Sequence, residues 1–397
     1  MKIQIISQNY YPDNFRINDI ASELVRKGNS VRVLTGLPDY TTNHIPKEYH
    51  WGRRRHEKIA DVQICRLPTI ARRTGIFFRM LNYGSFIISS FLHAEFGKKP
   101  DADAIFVFQT SPIFQAIPGV VWKRRTNKPL ILYCLDIWPE SMKAWGVGES
   151  NPVYHLVKKI SRWIYRSCDY IAITSKPFRQ YLVEVCDVNE DRIVYLPQYA
   201  EDLYADITGK YEDNGVIDFL FAGNIGLVQN VDCIIKAVAK MDTREKFCVH
   251  IVGDGSELDN CRNLAKSLGV ENNIVFHGRH PLEEMAEFYR MADCFLLTLR
   301  GGDYIGMTLP GKAQSYLSAG KPIVGAVNGA AQEMIVEAKC GKAVAADDAM
   351  GLAQVMTQVI DSFTSYQEMG LNGRNYYEEH FRREQFFESL LNLLKSE

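Results

Sequence analysis

The chain has 397 residues, 46% of them hydrophobic and 23% charged. That length exceeds what one hydrophobic core fills, so two domains are expected, and the composition excludes a disordered, collagen-like or disulfide-scaffold protein. The net charge of −1 hides an asymmetry, because residues 1–100 carry 16 Lys or Arg against 8 Asp or Glu. A basic first half implies an anionic partner (nucleic acid, an anionic membrane or a lipid-linked phosphate), or else a solvated charged face. The nine cysteines are scattered and form no C-x-x-C pair. They read as small buried thiols in a reducing, cytoplasmic compartment, which argues against both a disulfide framework and a zinc cage.

In chain order, Met1-Lys-Ile-Gln-Ile-Ile-Ser7 is too short and too soon polar for a signal peptide and reads as a first buried strand. A helix follows over 15–27, with Ile17, Ile20, Ala21, Leu24 and Val25 on one side, Asn14 placed to cap it and Gly28 to stop it. Further strands are expected at 31–34, 105–108, 130–133, 170–174 and 193–196, with helices near 112–124, 152–167 and 177–185. The polar stretch 201–216 breaks the pattern and reads as a linker between a first domain, 1–200, and a second, 217–370. The second repeats the alternation, with strands at 218–222, 247–252, 273–276, 293–299, 322–327 and 342–345. Helices lie between them near 229–239, 257–267, 282–291, 312–318, 331–337 and 349–362. Buried apolar strands alternating with helices predict two doubly wound α/β domains in tandem, with ligands at the carboxyl ends of the strands. The helical tail 371–397 is expected to pack back on the first domain.

The stretch Leu309-Pro-Gly-Lys312 through Val324 carries the clearest chemistry. It puts Lys312 in the first turn of a helix, where an anion meets both free backbone N–H groups and a point charge. Gly223-Asn224-Ile-Gly226, Gly253-Asp-Gly255 and His277-Gly278-Arg279 each follow a strand and point to the same sheet edge, as either phosphate contacts or plain turns. Arg300 opens a glycine-rich loop and is a candidate to assist Lys312. In the first half, Asp136 and Glu140 follow a strand and are placed to orient or deprotonate a sugar hydroxyl, or to serve as a helix cap and a surface carboxylate.

Arg53, Arg54, Arg55, Arg72, Arg73 and Arg79 flank the broken apolar run 76–92. They suit an anionic membrane surface, or a core helix with solvated arginines. The neighbouring aromatics form no nucleic-acid module, so nucleic acid is not expected as a partner. No H-E-x-x-H, G-x-S-x-G or Walker A motif is present, and the histidines have no metal-ligand spacing, so no metal is expected.

Together these blocks resemble the retaining glycosyltransferases of family 4. The resemblance rests on Tyr10-Tyr-Pro-Asp-Asn-Phe-Arg-Ile-Asn-Asp19, Asp136-Ile-Trp-Pro-Glu140, Leu196-Pro197, Gly223–Gly226, Gly253–Gly255, Pro310-Gly-Lys312 and Tyr316-Leu-Ser-Ala-Gly-Lys-Pro322. More narrowly, the chain resembles the branch of N-acetyl-L-fucosamine transferases of O-antigen and capsule synthesis. That resemblance implies a GT-B fold and a UDP-sugar donor held by the second domain, with no further cofactor. It also implies a saccharide acceptor on polyprenyl diphosphate at the first domain, with Asn14, Arg16 and Glu140 on the acceptor side and peripheral contact with the inner membrane face. Many members carry two carboxylates where Met307 and Ser315 stand here, and neither replacement accepts hydrogen bonds as a carboxylate does. Lys312 matches and is expected to stabilise the departing diphosphate. A non-hydrolysing UDP-sugar 2-epimerase and a non-catalytic carbohydrate-binding protein are the alternatives.

Overall fold

A computed structural model of the chain describes residues 1–73, 75–207, 211, 215–241 and 247–396. The chain divides into two compact units, Met1–Leu196 with Phe387–Glu397, and Pro197–Phe386.

The first unit is built on strands β1 (Lys2–Ile6), β2 (Ser30–Thr35), β3 (His56–Ile59), β4 (Val62–Arg66), β5 (Ala104–Gln109), β6 (Leu130–Cys134), β7 (Tyr170–Ile173) and β8 (Ile193–Tyr195). They form one sheet in the order β3-β4-β2-β1-β5-β6-β7-β8. Every pairing is parallel except the β3–β4 hairpin. Its helices are α1 (Arg16–Arg26), α2 (Ile76–Phe96), α3 (Ile117–Thr126), α4 (Pro152–Ser167) and α5 (Pro177–Glu184). The chain runs outward from β1 on one side through β2 and from β5 on the other. The point where the order reverses therefore lies between β1 and β5, where such sheets open a crevice.

Sequence reasoning missed the hairpin for a physical reason. Its turn residues, Ala60 and Asp61, have φ of 47° and 64°, the left-handed geometry that a two-residue hairpin needs but that Asn-Gly usually supplies. A second difference is the start of α1. Its N-cap is Phe15, which makes no side-chain cap bond, and Asn14 stands exposed outside the helix. The turn is tied instead by Asn18, whose Nδ2 donates to the Asp13 carbonyl at 2.8 Å. The broken apolar run becomes the single helix α2, and no helix among the described residues is long and apolar enough to cross a membrane.

The second unit holds β9 (Ile217–Ala222), β10 (Phe247–Val252), β11 (Ile274–Gly278), β12 (Cys294–Thr298), β13 (Ile323–Ala326) and β14 (Gly341–Val344). The order is β11-β10-β9-β12-β13-β14, all parallel. Helices α6 (Val231–Val238), α7 (Leu258–Ser267), α8 (Met285–Met291), α9 (Asp303–Gly306), α10 (Lys312–Ala319), α11 (Ala330–Glu337), α12 (Ala349–Asp361) and α13 (Phe363–His380) follow in turn, and most of the last helix, α14 (Arg383–Lys395), belongs to the first unit. Strand alternation sends Phe219 and Phe221 into a core with α6 and α12, and Leu220 and Ala222 into a second core with α10 and α11. The reversal here lies between β9 and β12.

Residues 202–207 of the expected linker form a 3-10 turn whose Tyr204 and Ile207 are buried in the second unit's core. The rest of that stretch apart from 211, 215 and 216, namely 208–210 and 212–214, lies outside the described residues. The tail consists of the end of α13 and of α14, with a break at 381–382. Its last residues group with the first unit, where the Lys27 Nζ lies 5.8 Å from the Phe387 ring centre.

Candidate active site

In the second unit, Lys312 opens α10. That helix is seated by burial of Ala313, Tyr316, Leu317 and Ala319, by the Tyr316 ring stacked 4.3 Å from Phe295, and by the Ala222 N–H donating to the Tyr316 hydroxyl at 2.9 Å. These contacts lock the helix start against the end of β9. Gly320 ends the helix in the left-handed conformation, at φ 67°.

The Lys312 side chain runs back along this edge. A Cβ on Gly223 would stand 3.1 Å from its Nζ, and the Phe221 ring centre is 3.6 Å away. The residue keeps some exposed surface, but Nζ itself is buried and has no hydrogen-bond partner among the described residues. Burial pushes its pKa down to about 7. A buried ammonium that the protein itself leaves without a hydrogen-bond partner is costly, and pairing with an anion offsets that cost.

The glycine loops surround this position. Gly253 has φ 146°, and a Cβ there would sit 1.8 Å from the Gly223 carbonyl oxygen, so only glycine lets the loops after β9 and β10 approach this closely. The Gly223 N–H donates to Val252 O at 2.9 Å, Ile225 N–H to Asp254 O at 2.9 Å, and Gly253 N–H to Gly278 O at 2.8 Å. Three strand ends are thereby joined into one rim. Asn224 donates to Gln229 Oε1 at 3.0 Å, across Gly226. Gly255 packs on Ile225, and Arg279 is exposed on the rim, 3.9 Å from Asp254. The Gln198 amide lies by Gly311, within 3.7 Å of where its Cβ would be.

Arg300 stands just after β12 (Cys294–Thr298). Its Nε donates to Leu227 O at 3.0 Å and its Nη2 to Asp232 Oδ1 at 3.0 Å, so it clamps the 227–232 segment to the loop after β12. Met307 follows α9 and is half-buried. Ser315 is buried, and its hydroxyl donates to Glu201 Oε2 at 3.2 Å. A carboxylate therefore reaches the Ser315 position from the segment before β9. Sequence reasoning had no signal for this, because Glu201 is 114 residues away in the chain.

In the first unit, Asp136 follows β6. Burial raises its pKa, partly offset by hydrogen bonds from Ser111, Ser141 and the Trp138 Nε1. All of those donors come from the loops after β5 and β6. The expected proton acceptor is thus a carboxylate engaged in holding the two loops together. Glu140 is not on the surface. Burial would raise its pKa, but Lys143 at 2.7 Å, the Tyr154 hydroxyl at 2.6 Å and the Tyr181 hydroxyl at 2.9 Å outweigh that and hold it below the usual carboxylate range. Arg16, the first residue of α1, is half-buried.

Two acids the sequence did not single out shape the loop after β1. Asp13, buried, accepts the N–H groups of Asp39, Tyr40 and Thr41 at 2.8–3.1 Å. Asp39, pushed up to about 6 chiefly by burial, accepts from the Arg72 N–H and from Asn82 Nδ2, both at 2.7 Å. The Arg72 guanidinium then lies over Tyr40, 4.3 Å from its centre, and Arg73 over Phe78 at 5.4 Å. Arg53, Arg54 and Arg79 are exposed, and the half-buried Arg55 donates to Arg66 O at 3.4 Å.

One trio of potential metal ligands comes together among the described residues. Asp218, Cys248 and His250 have ligand atoms within 4.8 Å of one another. Burial works against charge on His250, yet its bond to Asp218 at 3.0 Å and the nearby Cys248 outweigh that and push it up to about 9. In its protonated form the imidazole pairs with the Asp218 carboxylate, and its Nδ1 lies 2.9 Å from His277 Nε2.

Two family descriptions cover most of the chain. "Glycosyl transferase 4-like domain" matches residues 14–198 and "Glycosyl transferases group 1" matches residues 206–376. An uncharacterised glycosyltransferase of Methanocaldococcus jannaschii is 23% identical over 57% of this chain and 58% of its own length. The GDP-mannose-dependent alpha-(1-6)-phosphatidylinositol monomannoside mannosyltransferase of Mycolicibacterium smegmatis is 28% identical over 36% of this chain and 39% of its own. The matches thus span less than two thirds of these relatives' own length. Among solved structures, Anabaena HepE in complex with UDP and glucose superposes with a TM-score of 0.71 at 13% identity, covering 100% of both chains.

Proposed function

Because the chain has the GT-B fold and is a relative of the family 4 glycosyltransferases, we propose that it transfers a glycosyl group from a UDP-sugar to a saccharide acceptor, with retention of configuration. The observation that carries this reading is the buried Lys312 Nζ, without a partner among the described residues and facing the Gly223 turn at the β9–β12 reversal. A diphosphate is the anion this position suits. It would meet the ammonium, the N–H groups at the start of α10 and the glycine rim. UDP in HepE supports a uridine donor, whereas the mycobacterial relative is named for GDP-mannose, so the base is a point for the assay to settle.

In the reaction the bond from the anomeric carbon to the β-phosphate oxygen breaks as the acceptor oxygen attacks from the same face. Lys312 stabilises the charge that develops on the departing diphosphate, and the acceptor proton passes to that leaving group. Arg300 and Asp136 act in this scheme as positioning residues that hold loops. Glu201, bonded to Ser315, supplies a carboxylate near a position where many family members carry one, and it orients the donor. The finer reading is an N-acetyl-L-fucosamine or related N-acetylated deoxy sugar, delivered to a polyprenyl-diphosphate-linked saccharide in surface polysaccharide synthesis. It is supported by the Phe15–Asp19 and Asp136–Glu140 blocks and by Met307 in place of a carboxylate. On this reading the first unit receives the acceptor.

The test is a mass-spectrometric screen of UDP- and GDP-sugars with a short lipid-linked acceptor, followed by assignment of the product's anomeric configuration. A retained linkage made from a UDP-sugar is expected. Exchange at C2 without transfer would instead identify an epimerase.

A further inference from the structure

Asp218, Cys248 and His250 converge through strand geometry. Residues two apart in a strand share a face, so Cys248 and His250 on β10 present their side chains on the same side. Cys248 pairs in register with Asp218 on the neighbouring β9, which brings the carboxylate to that side as well. The start of β9 is pinned here. The Asp218 N–H donates to Asp293 Oδ2 at 2.9 Å, and the Asp293 N–H donates to Asp218 O at 2.7 Å. Spacing among histidines alone misses such a set, because one member is a thiol and another lies 32 residues from His250 in the chain.

The three ligand atoms, one from each residue, lie within 4.8 Å of one another, and His250 Nε2 is 3.0 Å from Asp218 Oδ1. Ligand atoms on one tetrahedral zinc stand about 3.3–3.7 Å apart, given bonds of about 2.0–2.3 Å. The observed separations bracket that range, so small side-chain rotations close the set around one ion. His250 also has the orienting partner that metal-bound imidazoles carry. Its other ring nitrogen, Nδ1, is 2.9 Å from His277 Nε2. His277 reaches this position at an irregularity in the sheet, where the β10–β11 register slips so that Val252 pairs with Gly278. Its ring centre is 5.2 Å from that of His250 and 4.9 Å from that of Phe288, which meets it edge-on. A hydrogen bond from Nδ1–H to His277 selects the tautomer whose Nε2 lone pair is turned toward Asp218.

We propose that Asp218, Cys248 and His250 bind one zinc ion, with His277 as the positioning residue for His250. A thiolate, an imidazole and a carboxylate form a donor set for zinc, whereas magnesium and calcium take oxygen ligands. Asp218 and His250 are buried, while Cys248 and His277 are half-buried and leave the ion a way in. Loading exchanges the proton on His250 Nε2 and the thiol proton of Cys248 for the ion, and both protons pass to the buffer. Two anionic ligands then balance a dipositive ion, and the fourth position is left to water. Asp218 and Cys248 are each the second residue of their strand, at the opposite end from the glycine rim and Lys312. The ion therefore clasps β9 to β10 and takes no part in transfer. No ligand is shared with the donor site, so failure of this proposal and failure of the transferase reading are separate results.

The test uses the full chain without an added tag, stripped with a chelator and titrated with zinc, or with cobalt(II) as a spectroscopic probe. One equivalent of cobalt should give a thiolate-to-metal charge-transfer band that zinc displaces. Cys248→Ser, nearly isosteric and leaving every other cysteine in place, should abolish the band. His277→Gln should keep the band but weaken zinc binding about 10–100-fold, as expected of a residue that orients a ligand without being one. Zinc at about a hundredfold excess over its Kd should raise the melting temperature of wild type by about 5–10 °C, with no rise in Cys248→Ser or His250→Gln. Circular dichroism and metal-free melting establish that each variant folds, and Asp218→Asn carries the same expectation if His250→Gln does not. Absence of the band in wild type, its persistence in Cys248→Ser, or an equal zinc-dependent rise in wild type and variants overturns the proposal. Transfer should proceed equally in chelator and in zinc, and its loss on chelation would overturn the role given to the ion.

Discussion

Two buried lysines bracket α10, and they have opposite surroundings. Lys321, fully buried, donates to the carbonyl oxygens of Arg290, at 2.6 Å, and of Ala292. Lys312, at the other end of the same short helix, has a buried Nζ with no partner among the described residues and an aromatic ring 3.6 Å away. Both cost desolvation energy, but only the first recovers it within the protein. A buried charge that the fold satisfies belongs to the architecture. One that the fold leaves unsatisfied at a strand-order reversal, beside a helix start, is held ready for a ligand. The same distinction separates the carboxylates. Glu140 and Asp136 are fully engaged by their own unit, whereas Glu201 reaches Ser315 at the donor edge.

Substitutions test the distinction directly. Lys312→Ala should lower the transfer rate by about 10²–10³-fold, the usual cost of removing one group that stabilises developing charge. Its melting temperature should be unchanged or higher, because a buried unpaired cation has been removed. Lys321→Met should behave in the opposite way. It should cost about 2–4 kcal/mol in denaturant unfolding by leaving two buried carbonyls unpaired, with donor affinity retained in the fraction that folds. Equal stability losses at the two sites would end the comparison.

Glu201→Gln should weaken donor binding by roughly tenfold, the scale of a hydrogen bond to a charged group, with little change in melting. If affinity is unchanged, Glu201 serves only to seat Ser315. Glu140→Gln is expected to have the smallest effect, about 1–2 kcal/mol of stability at neutral pH. Because its pKa lies below the usual carboxylate value when folded, Glu140 contributes stability above the unfolded pKa. That contribution disappears as the pH falls through the folded pKa, so variant and wild type should converge in acid.

The repeating α/β pattern was legible because buried parallel strands are short continuous apolar runs. β9 through β14 lie within a few residues of their expected positions. The β3–β4 hairpin was not legible, since Ala60 and Asp61 adopt positive φ without the residues that signal it. Lys312 could be singled out because the cue is local, a Pro-Gly followed by lysine at a helix start. The engagement of Arg300 by Asp232, of Glu140 by Tyr154 and Tyr181, and of Ser315 by Glu201 could not be. Those partners lie 14–114 residues away, and only the folded chain brings them together.

The central claim is that Lys312 carries a charge reserved for the donor's diphosphate, and proton linkage measures it most directly. In the free protein burial holds Lys312 down to about 7, so at pH 8 it is mostly neutral. A bound diphosphate favours the ammonium and raises that pKa. Calorimetry of UDP binding at pH 8, in buffers of different ionisation enthalpy, should show uptake of nearly one proton, absent in Lys312→Met, with weaker UDP binding in the variant. Proton uptake and affinity identical in wild type and Lys312→Met would contradict the account.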